Sequence, residues 1–104
     1  MDKDKLYKQH VLEAAEKIER YLRGVEYEKF LKDDLLKDGV IHELQIIGEA
    51  AKRLSPSFKD KYDLPWIDIA GIRDKIVHDY FTVNLKIIWD TAKNDVSALK
   101  QKLR

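Results

Sequence analysis

One stretch of the chain brings together side chains whose types suit chemistry on a phosphodiester. The segment GIRDKIVHDYF, residues 71–81, contains Arg73, Asp74, His78 and Tyr80. An imidazole can take a proton from a ribose 2′-hydroxyl or give one to a leaving 5′-oxygen. A guanidinium donates a fixed fork of hydrogen bonds to phosphoryl oxygens as charge builds on them. With Asp74 orienting the imidazole, these residues suit RNA cleavage without a metal ion.

The same segment also has a purely structural interpretation. At about 100° per residue, Arg73 falls near the middle of the apolar arc of its predicted helix. Leaving a buried charge without its partner costs roughly 3–5 kcal/mol, so Arg73 must meet a carboxylate, a chain end or an anionic ligand. Glu43 or Glu49 could supply the carboxylate, and His78 could cap the C-terminal end of its helix. The residues alone leave both interpretations open.

Composition limits the classes of protein to which the chain can belong. Its 104 residues suit one domain, residues 1–104, and its net charge is only +1. No overall basic field indicates nucleic acid, so RNA binding would need a local patch, which two chains together could form. The lack of cysteine excludes disulfides and thiolate metal sites. With no apolar leader and no long apolar run, we expect a cytoplasmic protein that does not span a membrane.

Helical periodicity of apolar residues accounts for most of the chain and predicts an all-α bundle of four or five helices. Gly48 lies on the apolar face of the second helix, which predicts close approach of another helix. The segment before Gly39 could instead form a separate short helix. The predicted helices are about Asp4–Arg23 with Gly24 as its stop, Glu26–Leu54, Pro65 to between His78 and Tyr80, and a last helix starting after an N-cap at Asn84.

Other polar candidates have weaker patterns. His10 falls on the apolar side of the first helix, which favours a core or helix-contact role. His42, Gln45 and Glu49 share one polar face at three- and four-residue spacing. They could in principle bind a metal, but a solvated face, or a supporting or dimer-facing role for Glu49, is favoured. Trp66 falls at core spacing, as does Trp89 in the last helix, which favours packing over base stacking.

The motif segment resembles a known family. RDKIVHDY matches the R-x4-H-x-Y motif of HepT-like toxins, which belong to the HEPN group of helical ribonucleases. IIGEAAKRLSP, LPWIDIAGIRDKIVHDYF and IIWDTAKNDVSALKQKL resemble further segments of that family. The resemblance therefore extends from about residue 4 to residue 103.

This resemblance implies a fold, an activity and site residues. The fold would be an antiparallel HEPN-type bundle that forms a homodimer, with the two motif helices meeting at a cleft between subunits. The activity would be that of a metal-independent ribonuclease toxin that needs no cofactor. Arg73 and His78 would be the catalytic pair, and Asp74 would help shape the site. Two copies of Arg73, Lys75 and His78 would then concentrate positive charge in one cleft of a nearly neutral protein.

The resemblance also implies a partner. An MntA-like nucleotidyltransferase antitoxin would transfer AMP from ATP to Tyr80 and so block the site. An alternative function, from a different class, is a non-catalytic helical binding partner of such a nucleotidyltransferase. A loose group of basic residues surrounds the proline-containing loop: Lys52, Arg53, Lys59 and Lys61. Its default interpretation is a solvated surface, and the alternative is a contact for RNA or the antitoxin.

Overall fold

The chain folds as a bundle of helices, which confirms the predicted all-α class. A computed structural model describes residues 3–81 and 84–104, without the side chains of residues 77–81. No strand occurs within these ranges. The helices are α1 (Lys3–Leu22), α2 (Tyr27–Lys32), α3 (Asp34–Arg53), α4 (Pro56–Lys59), α5 (Trp66–Ala70), α6 (Ile72–Phe81), α7 (Leu85–Asp90) and α8 (Val96–Leu103), with a π-helical segment, Thr91–Asp95, between α7 and α8.

The helix boundaries depart from the sequence prediction at two breaks. The expected long helix from Glu26 to Leu54 is wrong as one unit, because Asp33 interrupts it. The Asp33 backbone is extended, and its carboxylate accepts a hydrogen bond from the Leu36 amide at 3.0 Å, which caps α3. The separate short helix therefore exists as α2, but its boundary is Asp33; Gly39 lies within α3.

The second break falls at Gly71, within the predicted third helix. Gly71 has φ −83° and ψ 0° and separates α5 from α6. The proline-containing loop after α3, residues 55–65, also contains a helical turn, α4, where the Ser55 hydroxyl accepts a hydrogen bond from the Phe58 amide at 3.2 Å. The stop at Gly24 is confirmed, since its φ of +71° is a left-handed conformation that glycine adopts readily. Asn84 precedes α7 as expected, but its side chain makes no capping hydrogen bond there.

The helices α1 and α3 pack against one another in antiparallel orientation. At the start of α1, the Asp4 carboxylate accepts hydrogen bonds from the Ser55 hydroxyl at 2.6 Å and the Ser55 amide at 2.8 Å, just beyond the end of α3. These bonds, the side-chain bond foremost, lower the pKa of the Asp4 carboxyl. At the other end of α1, the Tyr21 ring lies against Gly39. The two contacts fix the axial register of the pair.

The last helical segment closes the bundle over α1. Lys100 donates to the Glu19 carboxylate at 2.6 Å, and the Ser97 hydroxyl donates to it at 3.2 Å. The Lys100 hydrogen bond is the main cause that lowers the pKa of the Glu19 carboxyl. Trp89 is buried and packs on Phe30 with ring centroids 5.2 Å apart, so its predicted packing role is confirmed. The largest fully buried side chains are Phe30, Ile18, Leu44, Ile47, Ile88, Leu103, Val11, Val40 and Val96.

The start of α6 approaches α3 at Gly48, as the sequence predicted. A Cβ atom on Gly48 would lie 3.3 Å from the Arg73 backbone nitrogen and 3.6 Å from the Ile72 Cβ. A carbon atom at 3.3 Å from a backbone atom is closer than most side chains tolerate, so the absent side chain allows this contact. Gly48 therefore sets how closely the motif helix lies against α3.

The two glycines of α3 give a matched stability test. A Cβ on Gly39 would meet the Tyr21 ring at an ordinary 3.5 Å, so Gly39→Ala should stabilise the protein by up to about 1 kcal/mol through helix propensity. At Gly48 the same gain is opposed by displacement of the α6 backbone, which costs roughly 1–3 kcal/mol. We expect Gly48→Ala to be the less stable variant by about 1 kcal/mol or more, measured by urea denaturation. Equal free energies of unfolding would contradict the tight contact.

Candidate active site

Arg73 and Asp74 lie in the first turn of α6, immediately after the break at Gly71. Arg73 is exposed, with 55% of its side chain accessible. This corrects the prediction that Arg73 lies within the buried arc. The prediction assumed one helix through residues 65–80, and a single helical wheel does not hold across Gly71. The buried residues at this point are Ile69, Ile72 and Ile76.

Arg73 forms an ion pair with Glu49. Its guanidinium donates to the Glu49 carboxylate at 2.9 Å, and the Glu49 side chain is 39% exposed. Of the two carboxylates suggested by the sequence, Glu49 is the one that pairs with Arg73. Glu43 is buried instead, and the His42 imidazole lies 3.9 Å from its carboxylate. Gly48 and Glu49 are neighbours in α3 and both contact Arg73. Gly48 leaves room for the Arg73 backbone, and Glu49 accepts a hydrogen bond from the Arg73 side chain.

Magnitudes separate the structural interpretation of Arg73 from the functional one. An exposed ion pair contributes about 0–1 kcal/mol, because water solvates both charges and the side chains lose freedom on pairing. A structural clamp would need burial, which this pair lacks. The guanidinium is therefore accessible to an anionic ligand while Glu49 holds it near one position.

The remaining motif residues lie further along the same helix. His78 and Tyr80 belong to the α6 backbone, but their side chains are outside the described residues. His78 follows Arg73 by five residues, about 7.5 Å along the helix axis. Asp74 is exposed in the first turn of α6. The contact of Asp74 with His78, the catalytic pairing and the reach of Tyr80 therefore stay predictions.

A groove opens beside Arg73, between the start of α1 and the second half of α3. Its volume is about 530 Å³. On its α1 side, the His10 ring meets the Tyr7 ring edge-on with centroids 6.0 Å apart. On its α3 side, the Arg53 guanidinium lies 5.9 Å from the centroid of the Tyr7 ring. The groove is lined by Tyr7, His10, His42, Gln45, Ile46, Glu49, Ala50, Arg53 and Arg73.

This groove corrects one expectation and places Arg53, which the sequence indicated only as part of a loose basic group, against Tyr7, which the sequence did not indicate as a site residue. His10 is exposed and is not a core residue, because the groove lies open over the first turns of α1. Tyr7 and Arg53 are far apart in the chain, and no spacing rule connects them. Only the antiparallel register of α1 and α3 brings them together, so no sequence pattern could have found this pair.

The other sequence candidates have structural explanations. Trp66 packs on Phe58, and its indole nitrogen donates to the Lys59 carbonyl at 3.0 Å, which confirms a packing role.

His42, Gln45 and Glu49 line the groove. Over residues 3–76 and 84–104, no three His, Cys, Asp or Glu side chains converge as metal ligands would. Within the same described part, no helix combines the length and apolarity that crossing a bilayer requires.

The exposure of the Arg73–Glu49 pair predicts a small effect of Arg73→Ala on stability. We expect its free energy of unfolding to fall by no more than about 1 kcal/mol, as measured by urea denaturation. Glu49→Gln should have an effect of similar size. A loss of several kcal/mol in Arg73→Ala would show that the pair is a structural clamp after all.

Comparison with known proteins places these residues in a family context. The family profile described as "Ribonuclease HepT-like" matches residues 11–104. The chain is 38% identical to "Putative RNase TTE0752" of Caldanaerobacter subterraneus subsp. tengcongensis, over 94% of this chain and 88% of that protein. It is 40% identical to "Probable ribonuclease HepT" of Thermococcus cleftensis, over 92% of this chain and 88% of that protein.

A longer relative also matches. The chain is 39% identical to "Gamma-glutamylcyclotransferase and putative RNase MJ0434" of Methanocaldococcus jannaschii, over 99% of this chain but only 47% of that protein. The similarity thus covers nearly all of this chain and about half of that relative. A comparison with solved structures found no match.

Proposed function

The chain belongs to the HepT-like ribonuclease family, and from that premise we propose that it is a metal-independent ribonuclease toxin whose catalytic pair is Arg73 and His78. The observation that supports this most directly is the exposed Arg73 guanidinium, held by Glu49 at 2.9 Å beside an open groove. A fork of donors in that position is suited to a phosphate.

The proposed reaction is an internal displacement at phosphorus. His78 takes the proton of the ribose 2′-hydroxyl, the 2′-oxygen attacks the adjacent phosphorus, and the bond to the 5′-oxygen breaks. The leaving 5′-oxygen takes a proton from water and His78 returns its proton to the solvent, so the products are a 2′,3′-cyclic phosphate and a 5′-hydroxyl. Arg73 donates hydrogen bonds to the non-bridging oxygens, where negative charge increases in the transition state.

A homodimer is part of this proposal. The chain has a net charge of only +1, so a single copy attracts RNA weakly over long distances. Two motif helices that meet across a subunit cleft would bring together two copies each of Arg73 and Lys75. Both residues are exposed in the single chain, which leaves them available for such a cleft.

Control by a partner is the second part of the proposal. An MntA-like nucleotidyltransferase would transfer AMP from ATP to the Tyr80 phenol, with release of pyrophosphate. The added nucleotide brings bulk and negative charge to the helix that carries His78. Its phosphate would compete with RNA for Arg73, just as an added phosphoryl group redirects arginines in other regulated proteins.

Cleavage assays test the catalytic assignment. Arg73→Ala and His78→Ala should each lower the rate of RNA cleavage by at least about 100-fold, because each removes a group that acts in the transition state. The parent protein should keep its activity in EDTA. Arg20→Ala, at an exposed arginine outside the groove, serves as the control.

Two outcomes would count against this assignment. Folded Arg73→Ala and His78→Ala variants that cleave at the parental rate would show that the site lies elsewhere. A purified, unmodified parent that leaves RNA intact would favour the alternative function of a non-catalytic partner for a nucleotidyltransferase.

Intact mass measurements test the regulatory part. Incubation with the partner nucleotidyltransferase and ATP should add AMP-sized increments to the parent protein and abolish cleavage. The increments should be absent in Tyr80→Phe and present in the control variant Tyr62→Phe. Tyr62 lies outside the motif, and its hydroxyl accepts a hydrogen bond from Lys8. Increments that persist in Tyr80→Phe would move the acceptor to another residue.

A further inference from the structure

The groove beside Arg73 contains side chains for which the cleavage chemistry has no use. Tyr7 and His10 lie on its α1 side, and Arg53 lies on its α3 side. Arg53 is exposed, and within the described part of the chain its side chain contacts the Tyr7 ring and forms no ion pair. An arginine that lies over an aromatic ring and has no carboxylate partner among the described residues presents hydrogen-bond donors to a ligand in the groove.

The charge of the groove favours an anionic ligand. Its formal charges are two arginines and one glutamate, and the glutamate is already paired with Arg73. This leaves Arg53 as an uncompensated positive charge in the groove. Arg53 follows Glu49 by four residues, so it lies one helical turn, about 6 Å along α3, beyond the Arg73–Glu49 pair. An extended nucleic-acid strand with one phosphate at Arg73 can therefore present a neighbouring phosphate to Arg53.

The aromatic side chains of the groove favour a nucleobase. Single-stranded RNA is recognised through bases that stack on Tyr and His rings and on the planes of Arg guanidiniums, and all three groups are present here. The Gln45 amide in the groove adds a donor and an acceptor for a base edge. The volume of about 530 Å³ is in the usual range, about 300–1,000 Å³, of pockets that bind small molecules.

From these observations we propose that the groove is a nucleotide-binding subsite for the single-stranded RNA next to the scissile phosphate. Arg53 binds a backbone phosphate, and Tyr7 with His10 contacts a base. The inference rests on the proposed ribonuclease function, because the strand is placed by a phosphate at Arg73. It goes beyond that function by assigning a site for substrate outside the R-x4-H-x-Y motif.

A protein surface is a poorer fit for the groove than RNA is. Tyr and Arg side chains occur in protein interfaces as well as in RNA-binding sites, so the position of the exposed apolar surface has to decide between the two. The two most exposed large hydrophobic side chains among the described residues are Ile67 at 90% and Leu35 at 85%. Neither residue lines the groove, so the surfaces most in need of an apolar partner lie elsewhere.

Binding measurements with paired variants test the subsite. The probe is a short, fluorescently labelled single-stranded RNA whose 2′-hydroxyls are methylated, so that it binds without being cleaved. Fluorescence anisotropy gives Kd for the full chain at several salt concentrations. The groove variants are Arg53→Gln and Tyr7→Leu. The controls are Arg20→Gln and Tyr62→Leu, because both residues lie outside the groove and each takes part in a cation–ring contact, Arg20 at 5.9 Å from the Tyr21 ring and Tyr62 with its ring 5.7 Å from Lys8.

The two groove variants should differ in salt dependence. Tyr7→Leu should weaken binding roughly fivefold or more, through loss of stacking, without changing the salt slope. Arg53→Gln should also weaken binding, and should reduce the slope of log Kd against log salt by about 0.7, the value for one phosphate contact on a single strand. The control variants should bind as the parent does.

Two kinds of result would overturn the subsite. If both groove variants bind RNA with the parental Kd, or if the parent binds no RNA, the groove does not bind the substrate. If a groove variant changes the oligomeric mass measured by light scattering while the controls do not, the groove is an interface between copies.

These binding and light-scattering measurements do not require RNA cleavage. A parent that binds RNA through Arg53 but cleaves none refutes the proposed ribonuclease, whereas an active parent with unaffected groove variants refutes only the subsite.

Discussion

The close contact between α3 and α6 at Gly48 is the constraint on which the candidate site depends. The Arg73 backbone nitrogen lies where a Cβ on Gly48 would be only 3.3 Å away. At that separation the next residue of α3, Glu49, is within hydrogen-bond distance of the Arg73 side chain. A methyl group on Gly48 would require the α6 backbone to shift by a few tenths of an ångström at Arg73. The approach of the two backbones at Arg73 is thus permitted by a residue that has no side chain.

The antiparallel pairing of α1 and α3 supplies the other half of the arrangement. Asp4 fastens the start of α1 to Ser55, just beyond the end of α3. This register places Tyr7, one turn into α1, over Arg53 in the last turn of α3. Both walls of the groove and the arginine at its edge therefore depend on contacts made by one helix, α3.

Sequence patterns predicted the features that depend on many residues and missed those that depend on one local hydrogen bond. Periodicity predicted α1, the all-α class and the close approach at Gly48, because each follows from where apolar and small residues recur. The break at Asp33 depends on one carboxylate that caps the Leu36 amide, and aspartate also occurs within helices. The break at Gly71 changed the orientation of α6, so the wheel placed Arg73 inside when it is exposed.

The exposure of Arg73 allows its guanidinium to exchange Glu49 for another anion at low cost. A buried pair with Glu49 would lock the guanidinium, because separating two desolvated charges costs several times more than separating solvated ones, roughly 3–5 against 0–1 kcal/mol. In the exposed pair, Glu49 restrains the side chain at little cost, and a phosphate that also accepts two hydrogen bonds can take its place. The same solvation makes such a contact sensitive to salt, since exposed charges are screened over about 8–10 Å at ordinary ionic strength. Long-range attraction of RNA is weak for a chain of net charge +1. An RNA strand at Arg73 would therefore need several short-range contacts to stay bound. The aromatic rings of Tyr7 and His10 in the groove could supply contacts that salt does not weaken.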